Sequence, residues 1–433
     1  MIIIKLLSEE SSPRLFSSKG YLNIVRRLAV RVLFISGFLP QFYLFTMDKP
    51  EQTLRETLEK VAKEYGYENY HIIQKAISTE GAYYTTVLYQ ATIKAPEKEE
   101  LKLFAKVAAV GENMRAVTPL KMFETESLFY NKLNEKYKEL EDKYDVPAEH
   151  RFVTPKFYGE SKEYLKETLV FEDLTAQGFT THDRFESIDW EYASKGLENL
   201  AKFHALSFAF SAYDPDGFKE MAVLKGRRDV DAALAYFKKV VTNATQVTKE
   251  ANRERFSKFM NELIDSRDID RFYGHRTRPV IIHGDYRPSN LMHRILDHGM
   301  EMVTVDYQTL EMANPIIDIL FFIFVGSDKN FRDRHFHQSL NHYYDELSKA
   351  LKRFRLNPQE VYAREDFDAD FKEILPVGLL LSVFCLLIVT VQKEDVPVMK
   401  EVLDIEDFSI DPNVMYTERL NDVIDDYINM GVI

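Results

Sequence analysis

IIHGDYRPSNLMHR occupies residues 281–294, and MVTVDYQ follows at 302–308. Two β-branched residues run straight into His283-Gly284-Asp285. Asn290 follows in the same loop, and the second apolar stretch ends in another acid, Asp306. Short apolar runs bounded by Gly, Pro and polar residues read as buried strands. The chain therefore places an acid and an amide after one strand and a second acid at the end of the next. A buried carboxylate is costly unless it is paired or binds a cation. Such a loop is expected to hold something.

Working outward, the chain divides by pattern. Residues 47–66 read as an amphipathic helix, with Asp48 as cap, Pro50 in its first turn and Gly66 as its stop. Residues 71–77 and 83–94 read as strands joined by a turn at 78–82. A polar connector, APEKEE, leads to a third strand at 101–110, a helix at 119–140, and strands within FVTPKFYGE and ETLVFEDL. From residue 189 the pattern becomes helical: 189–210, 229–241, 252–263, 315–325, 331–354 and 368–391. Only strands at 280–283 and 302–305 interrupt it. The expected fold is α+β and two-lobed: a small β-rich lobe at 47–174 and a larger helical lobe at 175–433.

Bulk properties narrow the function classes. The 433 residues suffice for a large core, and the net charge of −13 argues against a nucleic-acid partner. The single cysteine, Cys385, lies in an apolar run and cannot form an internal disulfide, which favours a reducing, cytoplasmic setting. Its surroundings should raise its pKa and keep it inert. Residues 21–45 carry three arginines ahead of an apolar run, a signal-like pattern. Pro40 and Gln41 interrupt that run, so residues 1–46 are expected to be an extension before a folded unit starting at Met47. The apolar run at 377–391 is short for a membrane span and reads as a buried core helix, so no stable span is expected. His335, His337 and His342 do not share a helix face as a zinc pair would.

Phosphoryl transfer needs a loop over the phosphates, a strand lysine held by a helix acid, a carboxylate for the acceptor's proton, and an amide–acid pair for Mg2+. Each part has a candidate here, in a workable order. Lys106 lies mid-strand, opposite in phase to Leu101, Leu103, Ala105 and Val107, where a lone charge needs a partner. Glu126 is the natural partner and Glu124 its competitor. Gly81 lets backbone approach phosphate. Asp285 is the candidate base, while Asn290 and Asp306 supply the hard oxygens that Mg2+ prefers.

These residues carry a resemblance. The loop HGDYRPSN followed by VDYQ resembles the choline kinase and aminoglycoside phosphotransferase superfamily. More closely, it is similar to the ecdysteroid-kinase-like family. Phe123, Glu126, Phe129 and Tyr130 match that family's F-x-x-E-x-x-F-Y segment, which favours Glu126 over Glu124. Residues 169–174, LVFEDL, resemble its hinge, so Glu172 and Leu174 are implied adenine contacts. His204 falls in an L-A-x-F-H-A helix as a structural residue, and Asp318 in a P-x-x-D segment that supports the catalytic loop. The phosphate loop departs from the family's G-x-N-Y-x-S: Tyr83 stands in place of Asn, and Thr86 keeps the final hydroxyl. The resemblance spans about residues 50–425. It implies a protein-kinase-like fold and an ATP- and Mg2+-dependent kinase of a small-molecule alcohol, an ecdysteroid or related sterol or xenobiotic. The alternatives are a choline- or ethanolamine-type kinase and a nucleotide-binding pseudokinase.

Overall fold

Strand β3 (Lys98–Ala108) shows how sequence alternation builds the first lobe. Its Leu103, Ala105 and Val107 face one side, and side chains two apart on a strand share a face. There they pack with Tyr89, Ala91 and Ile93 of β2 (Thr86–Ala95), Val170 of β5 (Thr168–Glu172) and Leu54, Leu58, Val61 and Ala62 of helix α1 (Pro50–Glu64). Lys106 and Phe104 point to the other face. The computed structural model describes residues 50–77, 86–108, 121–224, 230–265, 279–297, 299–395 and 410–433. Contacts separate Asp48–Ile433 from Met1–Met47 as two units, and all described residues belong to the former.

The first lobe is a five-stranded antiparallel sheet in the order β1-β2-β3-β5-β4, with β1 at His71–Ala76 and β4 at Phe157–Ser161. The sequence APEKEE is not a loop. Pro96 and Glu97 make a tight turn, with Glu97 at φ +62°, and Lys98–Glu100 already belong to β3. Both faces of that hairpin end meet solvent, so its charges cost nothing in burial; Lys94 pairs with Glu100 across it at 2.5 Å. FVTPKFYGE is strand only from Phe157, beyond Pro155, which lacks a backbone donor.

The helix expected at 119–140 is three pieces among the described residues: α2 (Met122–Leu128), a π-turn (Phe129–Leu133) and α3 (Asn134–Lys143). The second lobe is chiefly helical, with α4 (Trp190–Tyr213) capped by the Asp189 carboxylate. Then come α5 (Val230–Val247), α6 (Glu250–Asp265), α7 (Ile316–Gly326), α8 (Lys329–Arg353), α9 (Arg364–Thr390) and α10 (Val414–Asn429). Every residue of α7 is buried, as its unbroken apolar sequence requires.

The apolar run at 377–391 is the back half of a longer helix, α9, whose first half is charged. By length and composition α9 is apolar enough to cross a membrane, yet 67% of that window is buried inside the protein. It packs as a core helix. The small strands were more numerous than alternation suggested. β8 (Leu291–Leu296) and β9 (Gly299–Thr304) form a hairpin joined by β6 (Thr180–Thr181), while β7 (Val280–Ile282) pairs with β10 (Glu311–Ala313). LMHRIL lacks clean alternation because its position, not its pattern, sets its pairing.

Candidate active site

Two short strands and one turn hold the acids. β7 ends at Ile282, and His283-Gly284-Asp285 follow it. Gly284 sits at φ +78°, and a Cβ there would lie 2.3 Å from the Thr309 carbonyl oxygen. Only glycine fits that close approach. The buried Asp318 carboxylate accepts the His283 and Gly284 backbone N–H groups at 2.7 and 2.9 Å, and the ring N–H of buried His204 at 3.2 Å. His204 in turn meets the Tyr343 hydroxyl at 2.7 Å. His283 donates from Nε2 to the Val305 carbonyl at 3.1 Å and accepts the Asp285 N–H at Nδ1. This network fixes the loop's backbone from four elements.

Asp285 is gripped from one side by Asn290, whose Nδ2 donates to Oδ2 at 3.0 Å and to the Asp285 carbonyl at 2.9 Å. From the other side Arg287 Nε lies 3.1 and 3.2 Å from its two carboxylate oxygens. Burial raises the Asp285 pKa above its ordinary value, opposed mainly by Arg287 and assisted by the charge of Asp306. Arg287 was not among the residues singled out from sequence; its place two positions after the acid was the available signal.

Asp306 ends the β9 segment in a left-handed conformation, φ +71° and ψ +56°, costly for a non-glycine residue. That turn aims its carboxylate at Lys106 Nζ, which also contacts Glu126 at 2.8 and 2.9 Å. Glu126 accepts the Tyr307 N–H as well, and Phe129 stacks on the Tyr307 ring at 3.6 Å. One ammonium is thus shared by two buried carboxylates. The attraction of both acids raises the Lys106 pKa despite its burial, and Lys106 holds Asp306 below the usual carboxylate range. Burial pushes Glu126 up to about 6.

Lys106, Glu126 and Asp306 close the inner end of a cavity of about 240 Å³. Its walls are apolar: Ile77, Leu88, Phe104 and Phe171 from the sheet, with Met292 and Val305 opposite. At its outer end Glu172, Asp173, Leu174 and Thr175 line the rim, where Gln90 donates to Asp173 and Thr175 at 3.1 and 3.0 Å. An apolar slot with polar groups at both ends suits an aromatic ring carrying a charged tail. Ser289 also lines it. Thr86 is buried on β2, paired with Ala108, and is not among the lining residues. Gly81 lies outside the described residues.

The metal-binding chemistry can be tested on one atom. Asn290 is fully buried, its Nδ2 is committed to Asp285, and its Oδ1 has no hydrogen-bond partner among the described residues. An orphaned buried amide oxygen costs roughly 1–3 kcal/mol. That oxygen and the Asp306 carboxylate are donors of the hard kind that a small cation takes; in this structure Lys106 holds Asp306 Oδ1 and Gln308 Nε2 donates to Oδ2 at 3.1 Å, contacts that a bound cation would have to replace. The residues fit Mg2+. No cluster of three or more His, Cys, Asp or Glu occurs among the described residues, and a Mg2+ site of this type does not need one.

A family model described as the ecdysteroid kinase-like family matches residues 80–356. No curated protein matches the chain. Among solved structures, the "Structure of the microcompartment-associated aminopropanol kinase" is similar at 9% identity, covering 87% of this chain and 98% of that one. Its TM-score of 0.38 is too low to carry an argument.

Proposed function

The chain belongs to the ecdysteroid kinase-like family, and from that premise we propose that it transfers the γ-phosphoryl group of ATP, with Mg2+, to a hydroxyl of a small molecule. The acceptor in this reading is an ecdysteroid or a related sterol or xenobiotic alcohol. The observation that carries the proposal is the apolar slot ending at Lys106, Glu126 and Asp306, with Asp285 and Asn290 adjoining.

In this mechanism adenine occupies the slot between Leu88 and Met292, and the phosphates reach its inner end. Lys106 exchanges its contact with Asp306 for the α/β-phosphate oxygens, while Glu126 keeps it aimed. Asn290 Oδ1 and Asp306 would hold Mg2+, which when bound neutralises charge on the phosphates. Asp285 accepts the acceptor's hydroxyl proton as its oxygen bonds the γ-phosphorus and the bond to the ADP oxygen breaks. The Asp285 pKa, raised by burial, makes that carboxylate a better base than a solvated one. Arg287 and Asn290 hold its orientation.

The test is thermal denaturation with ATP plus Mg2+, with ATP plus EDTA, and without nucleotide. Ligand at a hundred times its dissociation constant adds ~2.7 kcal/mol, an easily seen rise. A magnesium-dependent rise is expected. Asp285→Asn should keep that rise and lose about 10²–10⁴-fold in turnover, the usual contribution of a general base. No rise at millimolar ATP would sink the kinase reading. A rise without turnover on any alcohol would leave a nucleotide-binding pseudokinase.

A further inference from the structure

Both carboxylate oxygens of Asp285, the base of the proposed transfer, are engaged in this structure. Oδ1 meets Arg287 Nε at 3.1 Å, and Oδ2 meets the same nitrogen at 3.2 Å and Asn290 Nδ2 at 3.0 Å. The Asp285 and Arg287 side chains are 19% and 12% exposed, so little of the pair reaches solvent. A proton acceptor needs a lone pair within hydrogen-bond reach of the hydroxyl it deprotonates. On Oδ1 Arg287 already takes that place.

The contact is of a kind that yields. One N–H spans both oxygens at more than 3 Å, whereas charge-assisted bonds of this type run at about 2.7–2.9 Å. The backbone of Arg287 is pinned: its N–H donates to the Asp285 carbonyl at 3.0 Å, its carbonyl accepts the Asn290 N–H at 2.8 Å, and Pro288 follows. Any release is therefore a motion of the side chain alone. Arg287 also lines a small cleft beside the loop, together with the exposed acids Asp183 and Glu186. A guanidinium turned toward that cleft meets negative charge again.

We infer that Arg287 guards Asp285: it covers the base while only water is present, and gives up Oδ1 when a bound alcohol brings its hydroxyl up. This rests on the kinase reading. Water gains one hydrogen bond by displacing the guanidinium. A bound alcohol adds the binding energy of its non-reacting part, which offsets that displacement. Without the guard, a water oxygen would bond the γ-phosphorus, the bond to the ADP oxygen would break, and the water's proton would pass to Asp285. The products would be ADP and inorganic phosphate. Arg287 thus sets the preference for alcohol over water. It is a positioning residue, with no bond made or broken at its own atoms.

Phosphate release from ATP and Mg2+ with no alcohol present reads the guard directly, whatever the acceptor. Arg287→Ala should release phosphate at least fivefold faster than the parent. Arg287→Lys, which returns a cation to Asp285, should fall back to the parent's rate. Adding Asp285→Asn to Arg287→Ala should abolish the gain. An arginine that only supported the fold would give no such rise. An alanine variant whose melting temperature Mg2+–ATP still raises, but which releases phosphate no faster than the parent, would overturn the inference. So would a gain that survives Asp285→Asn, or a lysine variant as fast as the alanine one. Should Arg287→Ala not bind nucleotide, Arg287→Gln, which keeps much of the volume without the charge, takes its place with the same expected gain. Failure of both to bind would overturn the inference, because Arg287 would then be holding the nucleotide site itself. Absence of the Mg2+–ATP rise in the parent protein sinks the kinase reading instead, which separates the two failures.

Discussion

Lys106 concentrates the electrostatics of this cleft on one atom. Its ammonium, buried, balances Glu126 and Asp306 together, so the trio carries one net negative charge before any ligand arrives. Lys106→Met removes the only cation of the trio and leaves two uncompensated acids. Breaking a buried ion pair in this way costs about 3–5 kcal/mol. Adding Glu126→Gln should recover a large part of that loss without restoring nucleotide binding. Urea denaturation of the single and double variants checks this; equal stability of Lys106→Met and the parent would mean that the acids are solvated. The contact between Lys106 and Glu126 was legible in the sequence in two steps: a lysine at the wrong phase of an apolar strand must find an acid, and the family resemblance, not the phase, chose Glu126 over Glu124. The second contact, with Asp306, was not. It depends on a left-handed turn at an aspartate, and no residue pattern announces that conformation for a non-glycine.

Among the elements, the segment from α2 to α3 shows where periodicity stops informing. A continuous helix was expected, yet one π-turn at Phe129–Leu133 divides it and lets Phe129 lie flat on Tyr307. A π-turn rotates the side chains that follow it, so the faces before and after the break serve different neighbours. Before it, Glu126 faces the cleft. After it, Tyr137, Leu140 and Glu141 turn to the second lobe's core, where Glu141 accepts the Phe152 N–H at 2.7 Å. Burial pushes Glu141 up to about 7, against the pull of that hydrogen bond and of Arg151. A raised acid binds its proton more tightly folded than unfolded. Its stabilising contribution is therefore complete below the ordinary pKa of 4.5 and lost as pH rises through about 7. Glu141→Gln, which keeps the acceptor oxygen, should flatten that decline and be more stable than the parent at pH 8, by on the order of 1 kcal/mol. Melting temperatures across pH 5–8 test it; parallel curves would refute it.

Taken whole, the molecule closes its helical lobe with the last helix rather than the first. Most of the lobe's helices were legible because each carries a long apolar stripe and a cap, as Asp189 and Asp328 show. How they assemble was not, because polar residues far apart in sequence set it. On α10, Tyr416 and Tyr427 donate to the Val383 and Leu375 carbonyls of α9 at 3.0 and 2.7 Å. Asn421 bridges to Val247 and Lys249, and Asp426 pairs with Lys329 and with the buried Arg332 at 2.8 and 2.6 Å. Tyr416, Leu420, Val423, Ile424 and Tyr427 are fully buried. Five such side chains at roughly 1.5–3 kcal/mol each come to about 10 kcal/mol, comparable with the 5–15 kcal/mol that holds a typical folded protein. A chain ending at Asn413 should therefore fail to fold, although it retains Asp285, Asn290 and Asp306. Asp426→Asn is the milder probe: it leaves the Arg332 charge buried beside a neutral amide and should cost about 2–4 kcal/mol while the protein still folds. Circular dichroism melts of both would check the argument. A truncated chain that melts cooperatively near the parent's temperature would show that α7 and α5, which meets α9 through Phe237 and Phe384, suffice to hold α9, and that α10 is an appendage.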